Sequence, residues 1–202
     1  MTDRETDLRS LIAANARPWD SFWYWRNKPT AERGAAAEIL RAGGVEVVGL
    51  VSRPENQDPP DCEGTLDGHW SGVEVTELVH QQALERSIKA IRQRSAGIEP
   101  KHPEADFVWG RATLIAAIQR LIDNKDAAKL KGGPYERYVL VVHTDQSFLG
   151  RGAVSQFLQG ATFRAQLISD MFIGLSYEPG FGIPTFRLDL TAGRSMRQRP
   201  SG

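Results

Sequence analysis

PDCEGTLDGHWSGVEVTEL, running from Pro60 to Leu78, reads as two short strands folded around Asp67-Gly68. Asp-Gly is a strong two-residue hairpin signal, because a type I′ turn needs positive φ at both central positions. The spacing predicts a strand over 61–66, a turn at 67–68 and a strand over 69–78. Side chains alternate along a strand, so Val73 and Val75 take one side and Glu74 and Thr76 the other. The hairpin then carries Asp61, at the start of the first strand, toward Glu74 on its partner. Both carboxylates are candidates to point away from the apolar face defined by Val73 and Val75.

Working outward, Thr30 after Pro29 caps a helix whose buried face is Ala35, Ala36, Ile39 and Leu40, and Gly43-Gly44 ends it. Val45 to Val51 reads as a buried strand from its β-branched content, and 52–60 as a loop. Beyond the hairpin, 80–96 is a polar helix with Leu84, Ile88 and Ile91 on one side, and 96–103 is a loop. Residues 111–130 form the strongest helix, with Leu114, Ile115, Ile118, Leu121 and Ile122 in one stripe and Gly132-Gly133-Pro134 beyond its end. Tyr138 to His143 is a buried strand. A short helix follows near Val154 to Phe163. Two strands, Met171 to Tyr177 and Thr185 to Leu190, are joined by Glu178-Pro179-Gly180.

This order predicts an α/β fold with a central mixed β-sheet flanked by helices. The main domain is expected over 29–190. Residues 1–28 supply a short helix (Leu8, Leu11, Ile12) and an aromatic segment, Trp19, Phe22, Trp23, Tyr24 and Trp25, expected to pack on the core; base stacking on exposed rings is the other reading. Residues 191–202, with Arg194, Arg197 and Arg199, are expected to be a disordered tail.

A chain of 202 residues suits one domain and buries a core without staples. Cys62 is the single cysteine, so no internal disulfide forms, which fits a reducing cytoplasm. The first residues lack the apolar core of a signal peptide, and no run approaches the roughly 20 apolar residues of a membrane span. Mean hydropathy is −0.38. The expectation is a cytoplasmic chain with no membrane partner. Twenty-five basic and 25 acidic residues cancel, which counts against strong nonspecific DNA binding but leaves room for a local basic face. His69, His80, His102 and His143 lack zinc-site spacing, and no nucleophile elbow, P-loop or dinucleotide fingerprint is present.

The chemistry therefore rests on Asp61 and Glu74. Two carboxylates held close repel, and a hard divalent cation relieves the repulsion; Mg²⁺ is bound by one or two carboxylates plus waters and phosphate oxygens. Such an ion acidifies bound water and neutralises charge on a phosphodiester. Simpler readings stand beside this one. Asp61 after Pro60 can start a turn, Glu74 can be a solvated face, Glu77 can be surface charge, and Glu32 in a first helical turn is favoured by the helix dipole alone.

The pattern Pro60-Asp61…Glu74-Val75-Thr76 resembles the motif of the PD-(D/E)XK nuclease-like superfamily. The element order is similar to that family's core of helix, three-strand meander, crossover helix and further strand, over residues 28–145. It also resembles uncharacterised bacterial and phage proteins with a Glu-Val-Thr-Glu-Leu segment. The resemblance implies a restriction-endonuclease-like fold and a metal-dependent endonuclease, a hydrolase. Its cofactor would be Mg²⁺ or Mn²⁺ on Asp61, Glu74 and the Val75 carbonyl, with Glu32 assisting. Its partner would be nucleic acid, DNA first, with a homodimer as one working form. Thr76 stands where the family carries lysine. Lys89, sharing a helix face with Gln81 and Glu85, is one candidate to supply that cation, and Lys125 with Lys129 is another. If neither reaches the site, the resemblance implies an inactive nuclease-like binding or interaction domain.

Overall fold

The computed structural model describes residues 28–79, 93, 109–127, 129–146 and 149–192. Helix α1 (Lys28–Ala42) leads into strands β1 (Val47–Ser52), β2 (Cys62–Leu66) and β3 (His69–Glu77). Helix α2 (Arg111–Asp126), strand β4 (Arg137–His143) and helix α3 (Arg151–Leu158) follow. Then come β5 (Phe163–Ala165), β6 (Asp170–Gly174), β7 (Thr185–Arg187) and β8 (Leu190–Ala192). The fold is α/β, with a mixed six-stranded sheet in the order β1-β2-β3-β4-β6-β7 and a small parallel pair, β5-β8.

The hairpin forms in the expected register, Cys62 opposite Val73 and Leu66 opposite His69. Asp67 and Gly68 both take positive φ, 49° and 83°, the backbone a type I′ turn demands. β3 then pairs in parallel with β4, Glu74 opposite Leu140, and β4 pairs in parallel with β6. β4 is buried on both faces, which explains its unbroken apolar run Tyr138 to Val142.

Two cores result. On one face, Ala36, Ile39 and Leu40 of α1 pack on Val73, Val75, Val139, Val141 and Phe172. On the other, Leu114, Ile118 and Ile122 of α2 and Val154 of α3 pack on Tyr138, Leu140, Val142, Met171 and Ile173. Glu74 faces the α2 side, because its neighbours Val73 and Val75 belong to the α1 side.

Several expectations need correction. The segment expected as a buried strand over 45–51 lies at the sheet edge: Val48 and Val51 are 54% and 48% exposed, and Gly49 and Leu50 bulge out of the ladder with β2. β-branched content reports a pleated surface rather than burial. α2 stops at Asp126 rather than 130, where its apolar stripe runs out. α3 ends at Leu158, before Gly160 turns the chain at φ 67°, and Phe163 starts β5 instead of ending that helix. The strand expected over 185–190 is two strands in different sheets, β7 beside β6 and β8 beside β5. The strand expected over 171–177 ends at Gly174, and Tyr177 is exposed. The tail expected over 191–202 begins inside β8, where Thr191 and Ala192 pair with β5, and its remainder lies outside the described residues, as do the expected N-terminal helix and aromatic segment and, apart from Gln93, the helix over 80–96 with Lys89.

Candidate metal centre

Asp61 precedes β2, and Glu74 lies on β3 almost opposite it across the ladder. The Val75 N–H donates to Asp61 Oδ2 at 2.7 Å, and the Asp61 carbonyl accepts from Arg53 N at 2.8 Å. These two bonds fix the carboxylate at the mouth of the hairpin. One oxygen each from Asp58, Asp61 and Glu74 lie within 4.8 Å of one another, a grouping that could hold a metal ion. Asp61 and Glu74 therefore share one side of the sheet and one small volume.

Gly72, two residues before Glu74 on the same face, leaves room for this corner. A Cβ there would meet Pro60 Cγ at 2.9 Å and Tyr135 Cδ2 at 3.2 Å. The bare backbone lets Pro60 close over β3 and brings Asp61 alongside Glu74.

From the other side, α2 delivers Lys125, whose Nζ donates to Glu74 Oε1 at 2.5 Å. Lys125 lies three residues past Ile122 and extends the Leu114–Ile118–Ile122 stripe toward the sheet. Glu74 is 2% exposed. Its second oxygen, Oε2, is buried with no hydrogen-bond partner among the described residues. Buried polar atoms are nearly always satisfied, and a cation or a water it carries could meet that demand.

Burial, and then the charge of Asp61, push the Glu74 carboxyl up to about 7. Burial also pushes Asp61 up, with Asp58 adding to it and the Val75 N–H opposing. Burial pulls the Lys125 ammonium down, but the bond to Glu74 and the charges of Asp61 and Asp58 outweigh it, and its net shift is upward. The site is an excess of negative charge in a poorly solvated corner, which is a reason to take up a cation. All three donors are carboxylate oxygens, the ligand type of hard divalent ions.

The other expected residues fall as follows. Thr76 is half-buried two residues beyond Glu74 on the same face. Glu32 is 6% exposed and paired with Lys28 at 3.2 Å. Burial and then Asp61 push it upward, so it senses the site without being one of the three clustered carboxylates. Lys129 is exposed and lies beyond the end of α2. Glu77 is half-buried on the opposite face from Glu74.

Sequence reasoning missed Asp58. It stands in an irregular loop where no periodicity marks it, and it is held near β2 by Arg53. The Arg53 guanidinium donates to the carbonyl of Gln57, the residue before Asp58, from Nε at 3.2 Å and Nη2 at 3.1 Å. It also donates to Glu63 and to the Tyr135 hydroxyl. No helix among the described residues is long and apolar enough to cross a membrane. Comparison with protein-family models, with curated proteins and with solved structures gives no match to this chain.

Proposed function

We propose that this chain is a divalent-cation-dependent phosphodiesterase, a nuclease of the PD-(D/E)XK-like kind acting on DNA. The observation that carries the reading is the meeting of Asp61, Glu74 and a lysine ammonium on one face of a hairpin. The chain order also supports it: α1, the β1-β2-β3 meander, α2, and β4 parallel to β3 is the order the resemblance implies.

In this reading Asp58, Asp61 and Glu74 hold Mg²⁺ or Mn²⁺, and Glu32 backs Asp61 from α1. The ion, when bound, acidifies water and offsets charge on the phosphodiester. Lys125 takes the part of the missing motif lysine from a helix instead of from β3, orienting the attacking water and offsetting transition-state charge. Thr76, at the usual lysine position, offers a hydroxyl donor beside it. With Glu74 among the residues that would hold the cation, the Lys125 ammonium would be released to meet the phosphate.

The alternative of an inactive binding module rested on a site without a lysine. Lys125 in hydrogen-bond reach of Glu74 favours the enzyme. The test is cleavage of plasmid and single-stranded DNA with Mg²⁺ or Mn²⁺, wild type against Asp61→Ala and Glu74→Ala. Cleavage lost in both variants is the expected result. Cleavage untouched by either change rules out the site, and Mn²⁺ binding without cleavage of any substrate returns the reading to a binding module.

A further inference from the structure

Tyr138 of β4 pairs with Gly72 of β3, and the next same-face pair along the ladder is Glu74 with Leu140. Tyr138 and Glu74 are thus diagonal neighbours on one face, about 8 Å apart at the backbone from strand spacing and rise, within reach of a long aromatic side chain. Gly72 puts no side chain between them. Tyr138 is 4% exposed, and its hydroxyl is buried with no hydrogen-bond partner among the described residues. A tyrosine hydroxyl in a core ordinarily finds one. Glu74 Oε2 is orphaned in the same way on the same face of the sheet. One atom has a proton to donate and the other has lone pairs to accept one.

We propose that Tyr138 anchors a water of the cation's hydration shell. Its Oη–H donates to that water, and the water donates in turn to Glu74 Oε2. The inference rests on the cation-site reading above and adds to it a positioning residue outside the motif. A water held to the ion by one lone pair keeps a second lone pair for the tyrosine and two hydrogens to donate. Mg²⁺ and Mn²⁺ suit such a site because hard ions of this kind keep part of their water shell.

The experiment measures Mn²⁺ binding to the full chain by electron paramagnetic resonance of the free ion, for wild type, Tyr138→Phe and Glu74→Gln. Phenylalanine removes the hydroxyl and keeps the ring in the core. The expected result is about a 10-fold loss of Mn²⁺ affinity in Tyr138→Phe, with the melting curve of the ion-free chain kept. Unchanged affinity in Tyr138→Phe, with binding abolished in Glu74→Gln, overturns the proposal and leaves the cation site standing. Absence of Mn²⁺ binding in wild type overturns both. Should Tyr138→Phe not fold, wild type decides by nuclear magnetic resonance. Saturating Mg²⁺, which is diamagnetic, is expected to shift the Tyr138 Cζ signal, which reports the hydroxyl's hydrogen bond, and a Cζ signal that stays put while the Glu74 side-chain carboxyl signal shifts overturns the proposal.

Discussion

Lys125 Nζ lies 2.5 Å from Glu74 Oε1, although 51 residues separate the two in the chain. The pair joins α2 to β3, and the ammonium offsets part of the burial and Asp61 repulsion that raise the Glu74 carboxyl. Removing one partner of a buried pair leaves the other uncompensated, a loss of about 3–5 kcal/mol. The Lys125 side chain is a third exposed, and solvent screening reduces that to about 2 kcal/mol. Lys125→Met is expected to lose this amount at pH 8. At pH 5 the Glu74 carboxyl, ordinarily titrating at about 7 in the fold, carries its own proton and needs the lysine less. Denaturant melts at the two pH values check this; an equal loss at both would show that Lys125 contributes packing rather than charge.

The Glu74 proton also gives the wild type a pH signature. Its carboxyl is raised from 4.5 to about 7 on folding, so the folded chain holds the proton more tightly than the unfolded one. The stabilisation is fully present below about pH 4.5 and is lost as pH rises through about 7. Asp61 and Glu32 are also raised and act in the same direction. The carboxyl contribution to stability is therefore expected to fall from pH 5 to pH 8, against an opposing contribution from His143, which burial lowers, and Glu74→Gln is expected to remove most of that fall. Cation affinity runs the opposite way. An ion at Glu74 displaces the proton, so Mn²⁺ binding is expected to tighten over the same window. Affinity independent of pH would mean that Glu74 is not a ligand.

The hairpin was readable because three signals agree on it: Asp67-Gly68, the Val73/Val75 alternation and the short strand lengths. The convergence of Asp61 and Glu74 follows from that hairpin alone. Lys125 was readable in part. It continues the Leu114–Ile118–Ile122 stripe, but so does Lys129 in a helix read to 130, and only the observed helix end at Asp126 separates the two. Asp58 carried no such signal, because its position comes from the tertiary contacts of Arg53 rather than from any period. Tyr138 read as core, and only the register against Gly72 shows it to be Glu74's diagonal neighbour on one face. The edge position of β1 and the β5-β8 pair were hidden for a related reason. Three-residue strands have too little length for alternation, and valines on an edge look the same in sequence as valines in a core.

Gly72 tests whether the Pro60–Asp61 corner depends on close approach. The Cβ of Gly72→Ala would press on Pro60 and the Tyr135 ring at 2.9 and 3.2 Å, both rigid groups. Overpacking of this kind costs about 1–3 kcal/mol. The shift falls on the residue next to Asp61, so Mn²⁺ affinity is expected to drop along with the melting temperature. A variant that binds Mn²⁺ as wild type does would show that Asp61 is held by the Val75 N–H independently of Pro60.

Arg53 separates holding a ligand from being one. It is 9% exposed, its backbone N–H donates to the Asp61 carbonyl, and its guanidinium clamps the Gln57 carbonyl beside Asp58. In Arg53→Met the clamp is lost, and Glu63 keeps the Tyr135 hydroxyl, which donates to it at 2.7 Å. Glu63 is a quarter exposed, so the stability loss is expected near 2 kcal/mol, below the figure for a fully buried pair. Asp58, released from its fixed place, is expected to weaken Mn²⁺ binding about 10-fold. Asp58→Asn removes the ligand charge but leaves the clamp, and a partly exposed substitution of that kind shifts stability by only about 0.5 kcal/mol. The two variants should therefore match in ion affinity and differ in stability. If Arg53→Met is destabilised yet binds Mn²⁺ normally while Asp58→Asn does not, the loop is held at the site by the β2 ladder rather than by the guanidinium.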